Sequence, residues 1–267
     1  MTELEKLCRE SIKVVEDTGA FIGREVGKVG KEAIEEKGLN SLVSYVDREA
    51  EKLLVDGLGD LLPGSTFLTE EDTVANEESE QQWIIDPLDG TTNFLHQLPC
   101  FSVSVALRRA GETVLGIVYE VNQQECFYAW KEGGAHLNGQ PIEVSRNSRM
   151  SDSLLATGFP YEDFDWINPY FKVLGALVQS SRGIRRFGSA AVDLVYTACG
   201  RFDAFFEARL KAWDVAGGAF IVQEAGGLVT DFKGGDDYLF GGEIIAANPR
   251  VHKEVLKTVQ EGFYPEH

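Results

Sequence analysis

Three acidic strand ends concentrate the chemistry that this sequence could perform. The clearest is Trp83-Ile84-Ile85-Asp86-Pro87-Leu88-Asp89-Gly90-Thr91-Thr92-Asn93-Phe94. The tryptophan and two isoleucines predict a short buried strand. Pro87 and Gly90 predict that it breaks into a turn carrying two carboxylates. Thr91-Thr92-Asn93 are small polar residues of the kind that open a helix. Carboxylates hold hard cations, and a run of N–H donors holds a phosphate. Turn capping would also use Asp86 and Asp89, but a buried strand leading into both favours a charged site.

The second acidic end is Glu70-Glu71-Asp72, reached from the predicted strand Ser65-Thr66-Phe67-Leu68-Thr69. The acidic residues Glu77, Glu78 and Glu80 that follow read as an exposed loop. The third end is Asp214, in Trp213-Asp214-Val215-Ala216-Gly217-Gly218. Alone at a helix start it serves as an N-cap; beside the other two ends it becomes a ligand candidate. Phe187-Gly188-Ser189-Ala190-Ala191 places a glycine and small residues at a predicted strand-to-helix junction. A ligand can approach free N–H groups there, although packing alone would select the same residues.

Composition limits what such a site can serve. The chain has 267 residues, 43% of them hydrophobic, and a formal net charge of −18. That suffices for a large core and disfavours nucleic acid as a direct partner. An acidic protein acting on phosphate must recruit positive charge, and metal ions are the natural supply. Cys8, Cys100, Cys126 and Cys199 lie far apart, against a zinc site and in favour of buried thiols in a reducing compartment. No apolar signal region or membrane-length run is visible, so a soluble cytoplasmic protein with no membrane partner is expected.

The elements that must position these residues follow from periodicity. Leu4, Leu7, Cys8, Ile12 and Val15 predict an amphipathic helix over 3–22. Residues 24–37, with Val26, Val29, Ala33 and Ile34, fit neither period. Gly38 and Asn40 predict a turn. A helix over about 47–61, capped by Asp47, ends at Pro63-Gly64. Alternation predicts antiparallel strands over 101–109, 113–121 and 124–130, and Asn138-Gly139 predicts a hairpin. Short strands at 154–157, 183–187 and 202–206 then alternate with helices over 163–180, 189–199 and 213–225, an α/β texture. We place a soft boundary near 145–152, between an N-terminal α+β half (1–148) with the metal and phosphate site and a C-terminal α/β half (149–267) with the last metal ligand and the substrate contacts. The two halves are expected to form one compact unit.

The stretch from Trp83 to His96 resembles the first signature of the inositol monophosphatase family. Trp213-Asp214-Val215-Ala216-Gly217-Gly218-Ala219-Phe220-Ile221-Val222-Gln223-Glu224-Ala225-Gly226-Gly227 resembles its second. Glu70-Glu71 and Val46-Asp47 fall where that family has acidic residues. Two long motifs in the right order are far more specific than any short pattern, and the resemblance runs from the first helix to Ala246-Ala247-Asn248. It implies the layered αβαβα sandwich of the sugar-phosphatase superfamily, magnesium as cofactor (two or three ions), lithium sensitivity and a homodimer.

Carried over residue by residue, the resemblance makes Glu70 a ligand of one magnesium, Asp86 a bridge between two, the Leu88 carbonyl a further ligand of the first, and Asp89 and Asp214 ligands of the second. Thr91 and Asp47 orient the attacking water, with Glu70 facing it, and the N–H groups at Gly90 and Thr91 hold the phosphate. Glu207 accepts hydrogen bonds from substrate ring hydroxyls, and the backbone at Ser189 and Ala190 faces the same ring. Lys37 matches a family lysine near the metals only after a one-residue adjustment. Arg209 departs from the small residue, often glycine, that the family carries there, and Lys211 is close by. The implied activity is hydrolysis of a small phosphorylated polyol or sugar, with myo-inositol monophosphate favoured. Fructose 1,6-bisphosphate, histidinol phosphate and 3′-phosphoadenosine 5′-phosphate are the alternatives. A competing reading is a non-catalytic metal-binding regulatory protein.

Overall fold

Apolar residues spaced three and four apart wind the first segment into a helix with one buried face, made by Leu7, Cys8, Val15 and Ile22. The computed structural model describes residues 2–30, 32, 35–38, 41–76, 79–159 and 164–265. Ala33, Ile34, Asn40, Glu77 and Glu78 lie outside them, as does residue 163, the expected start of a helix.

In chain order the first elements are α1 (Glu3–Glu25), β1 (Glu35–Gly38), β2 (Ser41–Val43), α2 (Tyr45–Leu61), β3 (Thr66–Thr69), β4 (Gln81–Asp89), α3 (Thr91–Leu95), β5 (Ser102–Arg109), β6 (Glu112–Glu120), β7 (Glu125–Trp130), β8 (Ala135–Leu137) and β9 (Gln140–Ile142). Then follow β10 (Leu154–Thr157), α4 (Ile167–Ser180), β11 (Gly183–Arg185), α5 (Ala190–Ala198), β12 (Ala204–Ala208), α6 (Ala212–Glu224), β13 (Leu228–Thr230), β14 (Glu243–Ala247) and α7 (His252–Phe263).

Strands β3 to β9 pair in sequence order into a seven-stranded sheet, while the second sheet runs β11-β10-β12-β14-β13. Helices α1 and α2 cover one face of the first sheet, and α5 and α6 lie between the sheets. The α4–α7 pair covers the far face of the second. The layers are therefore α, β, α, β, α, as expected. Each interface has its own core: Trp83 and Ile85 face α1 and α2, Phe127 and Phe205 meet the middle helices, and Leu155 and Phe206 face α4 and α7. Among the described residues no helix is long and apolar enough to cross a membrane. The four cysteines are unpaired, and Cys8 and Cys126 are buried.

Two expectations shift. The helix α2 begins earlier than 47: Ser44 is its N-cap, and Asp47 is the acidic third residue of a capping box. Of residues 24–37, which fitted neither period, Arg24 and Glu25 close α1 and residues 35–37 open β1.

Glycine sets how closely α6 approaches the first sheet. A Cβ on Gly116 in β6 would stand 2.6 Å from the Gly217 carbonyl oxygen, and one on Gly217 would stand 2.9 Å from that of Val105. This backbone-to-backbone contact brings the start of α6 to the end of β4. Gly116→Ala is expected to cost about 1–3 kcal/mol through overpacking, read as a lower urea midpoint with an unchanged slope.

Candidate active site

The carboxylates on β4 owe their direction to an irregular strand. Pairing with β5 does not stop at Pro87. Asp86 lies opposite Ser104 and Asp89 opposite Ser102, so three steps along β4 face two along β5. The expected turn is a bulge, which tolerates a proline and re-aims side chains. Gly90 follows with φ +95°, and a Cβ there would meet the Cys100 carbonyl oxygen at 3.0 Å and that of Gly188 at 3.3 Å. Only glycine suits both the conformation and the space.

Asp86 is buried, accepts the Leu88 N–H at 3.0 Å and shares a hydrogen bond with Glu70. Burial, then the charges of Glu70, Asp89 and Asp214, push its carboxyl well above the usual range. Asp89 is raised to about 6 by burial, held back by hydrogen bonds from the Ser189 hydroxyl and the N–H groups of Ala191 and Ala190. The Ser189 and Ala191 bonds measure 2.6 and 2.7 Å. Asp214 is not the N-cap of α6 but its third residue, and it reaches back to the Lys211 N–H at 2.6 Å. Burial and the Asp89 charge raise it to about 8. Glu70 follows β3 directly, and the next residues are pinned by Glu51, a buried carboxylate on α2. Glu51 accepts the Glu71 N–H at 2.8 Å and both the N–H and hydroxyl of Thr73 at 2.8 and 2.7 Å.

Glu70, Asp86, Asp89 and Asp214 thus form one cluster, in which burial and neighbouring carboxylates oppose ionisation of the three aspartates. Added positive charge relieves both. Carboxylate oxygens with the Leu88 carbonyl are donors that suit a hard divalent cation. Among the described residues, no three His, Cys, Asp or Glu side chains stand as a ready-made cation cage. Asp86, Asp89 and Asp214 instead each bond a backbone N–H.

Beside this cluster the Thr91 hydroxyl lies 2.9 Å from Asp47 Oδ1 and 3.0 Å from the Leu88 carbonyl. Asp47 Oδ2 accepts the N–H and hydroxyl of Ser44 at 2.9 and 2.8 Å. Asp47 is buried, which raises its pKa against the pull of these donors. Its orientation is therefore fixed from both sides.

Glu207, the penultimate residue of β12, lies against Gly158, where a Cβ would overlap its carboxylate. Burial raises Glu207 to about 8, with Arg186 pulling it down and Asp89 pushing it up. Ser189 turns its hydroxyl to Asp89 and, with Ala190, opens α5. Arg209 is exposed, has φ +70°, and lays its guanidinium 4.4 Å from the centre of the Trp166 ring. Lys37 lies on β1, with its side chain outside the described part.

The inositol monophosphatase family model matches residues 3–262. The chain belongs to the inositol monophosphatase family. It is 42% identical over 227 residues to Nus factor SuhB of Escherichia coli K12, covering 85% of each chain. It is 38% identical over 256 residues to the inositol-1-monophosphatase of Mesorhizobium japonicum, covering 96% of each. The solved Thermotoga maritima IMPase superposes with a TM-score of 0.87 at 36% identity, over 94% of this chain and 96% of that one.

Several residues that shape the site of this inositol monophosphatase relative escaped sequence reasoning. Asn93 donates from Nδ2 to the carbonyls of Cys100 and Phe187, both at 2.7 Å, tying α3 to the junction before α5. Glu51, Gly158 and Arg186 act across long sequence separations, and no local pattern marks them. Asp193 in α5 is buried, and its Oδ1 has no hydrogen-bond partner. Burial, then Glu207 and Asp89, raise its pKa well above the usual range, while Arg186 opposes them. A raised carboxyl is fully tolerated below its unfolded value and costs stability as pH rises toward the folded value. Asp193→Asn removes that cost. Without magnesium, its melting temperature is expected to exceed the wild type's by about 2–4 °C at pH 8 and to converge on it as pH falls to about 4, by scanning calorimetry.

Proposed function

We propose that the chain hydrolyses the phosphate monoester of a small polyol in a magnesium-dependent reaction, with myo-inositol monophosphate the favoured substrate. The observation that carries this reading is the Asp47–Thr91–Leu88 hydrogen-bond set beside four crowded carboxylates. Glu70, Asp86, Asp89, Asp214 and the Leu88 carbonyl would hold two or three ions. Magnesium bound there supplies the positive charge that offsets the phosphate and makes water easier to deprotonate.

The chain's own residues do the rest. Thr91 accepts a hydrogen bond from the attacking water while its own proton points to Asp47, which gives the water's proton a route to a carboxylate. Glu70 is the second acceptor within reach of that water. The N–H groups of Gly90 and Thr91 hold phosphate oxygens. Glu207 is an acceptor for vicinal hydroxyls, and the backbone at Ser189 and Ala190 flanks the ring. Pinning of Asp47 by Ser44 and of Asp89 by α5 limits reorganisation during the reaction.

Phosphate release from inositol 1-phosphate, fructose 1,6-bisphosphate, histidinol phosphate and 3′-phosphoadenosine 5′-phosphate, each with magnesium and with EDTA, tests the reading. Magnesium-dependent release is expected, strongest with the inositol ester; no release from any of the four rejects it. The name Nus factor carried by several relatives favours a second reading, a factor role that needs no turnover. A deletion strain rescued as well by Asp86→Asn as by wild type would assign that role.

A further inference from the structure

Glu70 leaves the first sheet at its rim. β3 is the edge strand, paired in parallel with β4, and Thr69 lies opposite Ile85. One step further along each strand stand Glu70 and Asp86, which share a hydrogen bond. An edge strand has a sheet neighbour on one side only, so the chain beyond it needs another anchor. The loop after Glu70 folds back along the open side. Asn76 bridges to Phe67, its Oδ1 accepts the Thr69 N–H at 3.0 Å, and its Nδ2 donates to Asp72 Oδ1 at 2.6 Å. Asp72 itself takes a left-handed backbone, φ +51°. The anchor from outside the loop is Glu51 on α2, fully buried, whose Oε2 accepts the Glu71 N–H and whose Oε1 accepts the N–H and hydroxyl of Thr73. Burying a carboxylate is costly unless donors surround it, and these donors come from the segment that directly follows Glu70.

We propose that Glu51 is a positioning residue: by holding the backbone of Glu71 and Thr73 it fixes Glu70 beside Asp86, and so sets how tightly magnesium binds there. This rests on the magnesium-dependent phosphatase reading of the same site. Asp47 and Glu51 stand one helical turn apart, so they share one face of α2. Asp47 holds Thr91, and Glu51 holds the loop of Glu70. Two like charges at that spacing repel each other, a cost offset by donors on two different segments of the site. A single rigid helix therefore spaces the two acceptors assigned to the attacking water. A ligand whose backbone is already held loses little freedom when an ion arrives, and partners that hold a ligand from behind govern affinity nearly as strongly as the ligand itself.

Calorimetric titration of magnesium into the full metal-free chain tests the role independently of turnover. Glu51→Gln keeps the side chain's size but turns one acceptor oxygen into a donor that faces an N–H. It is expected to weaken magnesium binding about tenfold to a hundredfold. Thr73→Val leaves the Glu51 charge in place and removes one donor; a loss of about twofold to tenfold is expected. Melting curves in EDTA establish that each variant is folded, and Thr73→Val carries the test should Glu51→Gln not fold. A double-mutant cycle with Glu70→Gln separates positioning from simple charge or stability effects. With Glu70 replaced, each change should alter magnesium affinity by less than about twofold. Wild-type affinity in both variants, or an equal loss whether or not Glu70 is present, would overturn the role. Phosphate release from inositol 1-phosphate is followed in parallel. Release by wild type without the expected losses in the variants rejects the positioning role and keeps the reaction; the losses without any release do the reverse.

Discussion

Asp86→Asn is expected to lower kcat about a thousandfold or more while leaving the protein folded, because the substitution removes charge from the centre of the proposed cation-binding cluster. The charges of all three others, Glu70, Asp89 and Asp214, bear on Asp86. An asparagine keeps the oxygen that accepts the Leu88 N–H, so the bulge in β4 survives. It also removes a carboxyl whose ionisation burial and three neighbours oppose. The variant should therefore melt no lower than wild type when magnesium is absent, and gain less than wild type when magnesium is added. Phosphate release, together with melting curves in EDTA and in magnesium, gives the result. A well-folded variant that keeps more than about a tenth of wild-type kcat would refute the cation cluster as the seat of catalysis.

Magnesium should stabilise the protein by an amount that grows with pH. The sign follows from the carboxyls. Asp86, Asp89 and Asp214 all have folded values above the ordinary one, with Asp89 at about 6 and Asp214 at about 8. Each contributes fully at low pH, and its contribution is lost as pH rises through the folded value, so the metal-free protein weakens from about pH 4 to 8. A cation favours the ionised forms, releases protons on binding and cancels that loss. With magnesium at a hundred times its Kd the gain is about 2.7 kcal/mol, or roughly 5–10 °C in melting temperature. Scanning calorimetry at pH 6, 7 and 8, with magnesium and with EDTA, should show the increment rising at each step. An increment independent of pH would mean that the ions bind elsewhere. Activity should vanish in EDTA at every pH.

Much of the site was legible because its central residues are neighbours in the chain. Asp86, Leu88, Asp89, Gly90 and Thr91 fall within six positions, and the strand before them is plainly apolar. The layer order was legible through the family resemblance; periodicity alone showed only a mixed α/β texture. What stayed hidden was made by contacts between distant segments. Proline in Asp86-Pro87-Leu88-Asp89 predicted a turn, yet β5 continues to pair beyond it, because a bulge absorbs the missing N–H. Asp47 looked like a helix cap, and Ser44, three residues earlier, turned out to hold that position while Asp47 faces Thr91. Glu51 carries no local signal in the sequence, yet it holds the loop after Glu70. Arg209 stood out as a basic residue where glycine is usual, but its left-handed backbone and its ring partner required coordinates.

Asp89 belongs to the first sheet, yet its carboxylate is gripped by Ser189 and Ala191 at the start of α5, one hundred residues later in the chain. Asn93 spans a similar gap to Phe187. Neither half of the polypeptide can therefore assemble the proposed hydrolytic centre by itself. During refolding from urea, the strand signal of the first sheet can return before any turnover does. Recovery of activity then requires the docking of α5 onto β4, and fragments cut between the sheets should regain activity only when mixed.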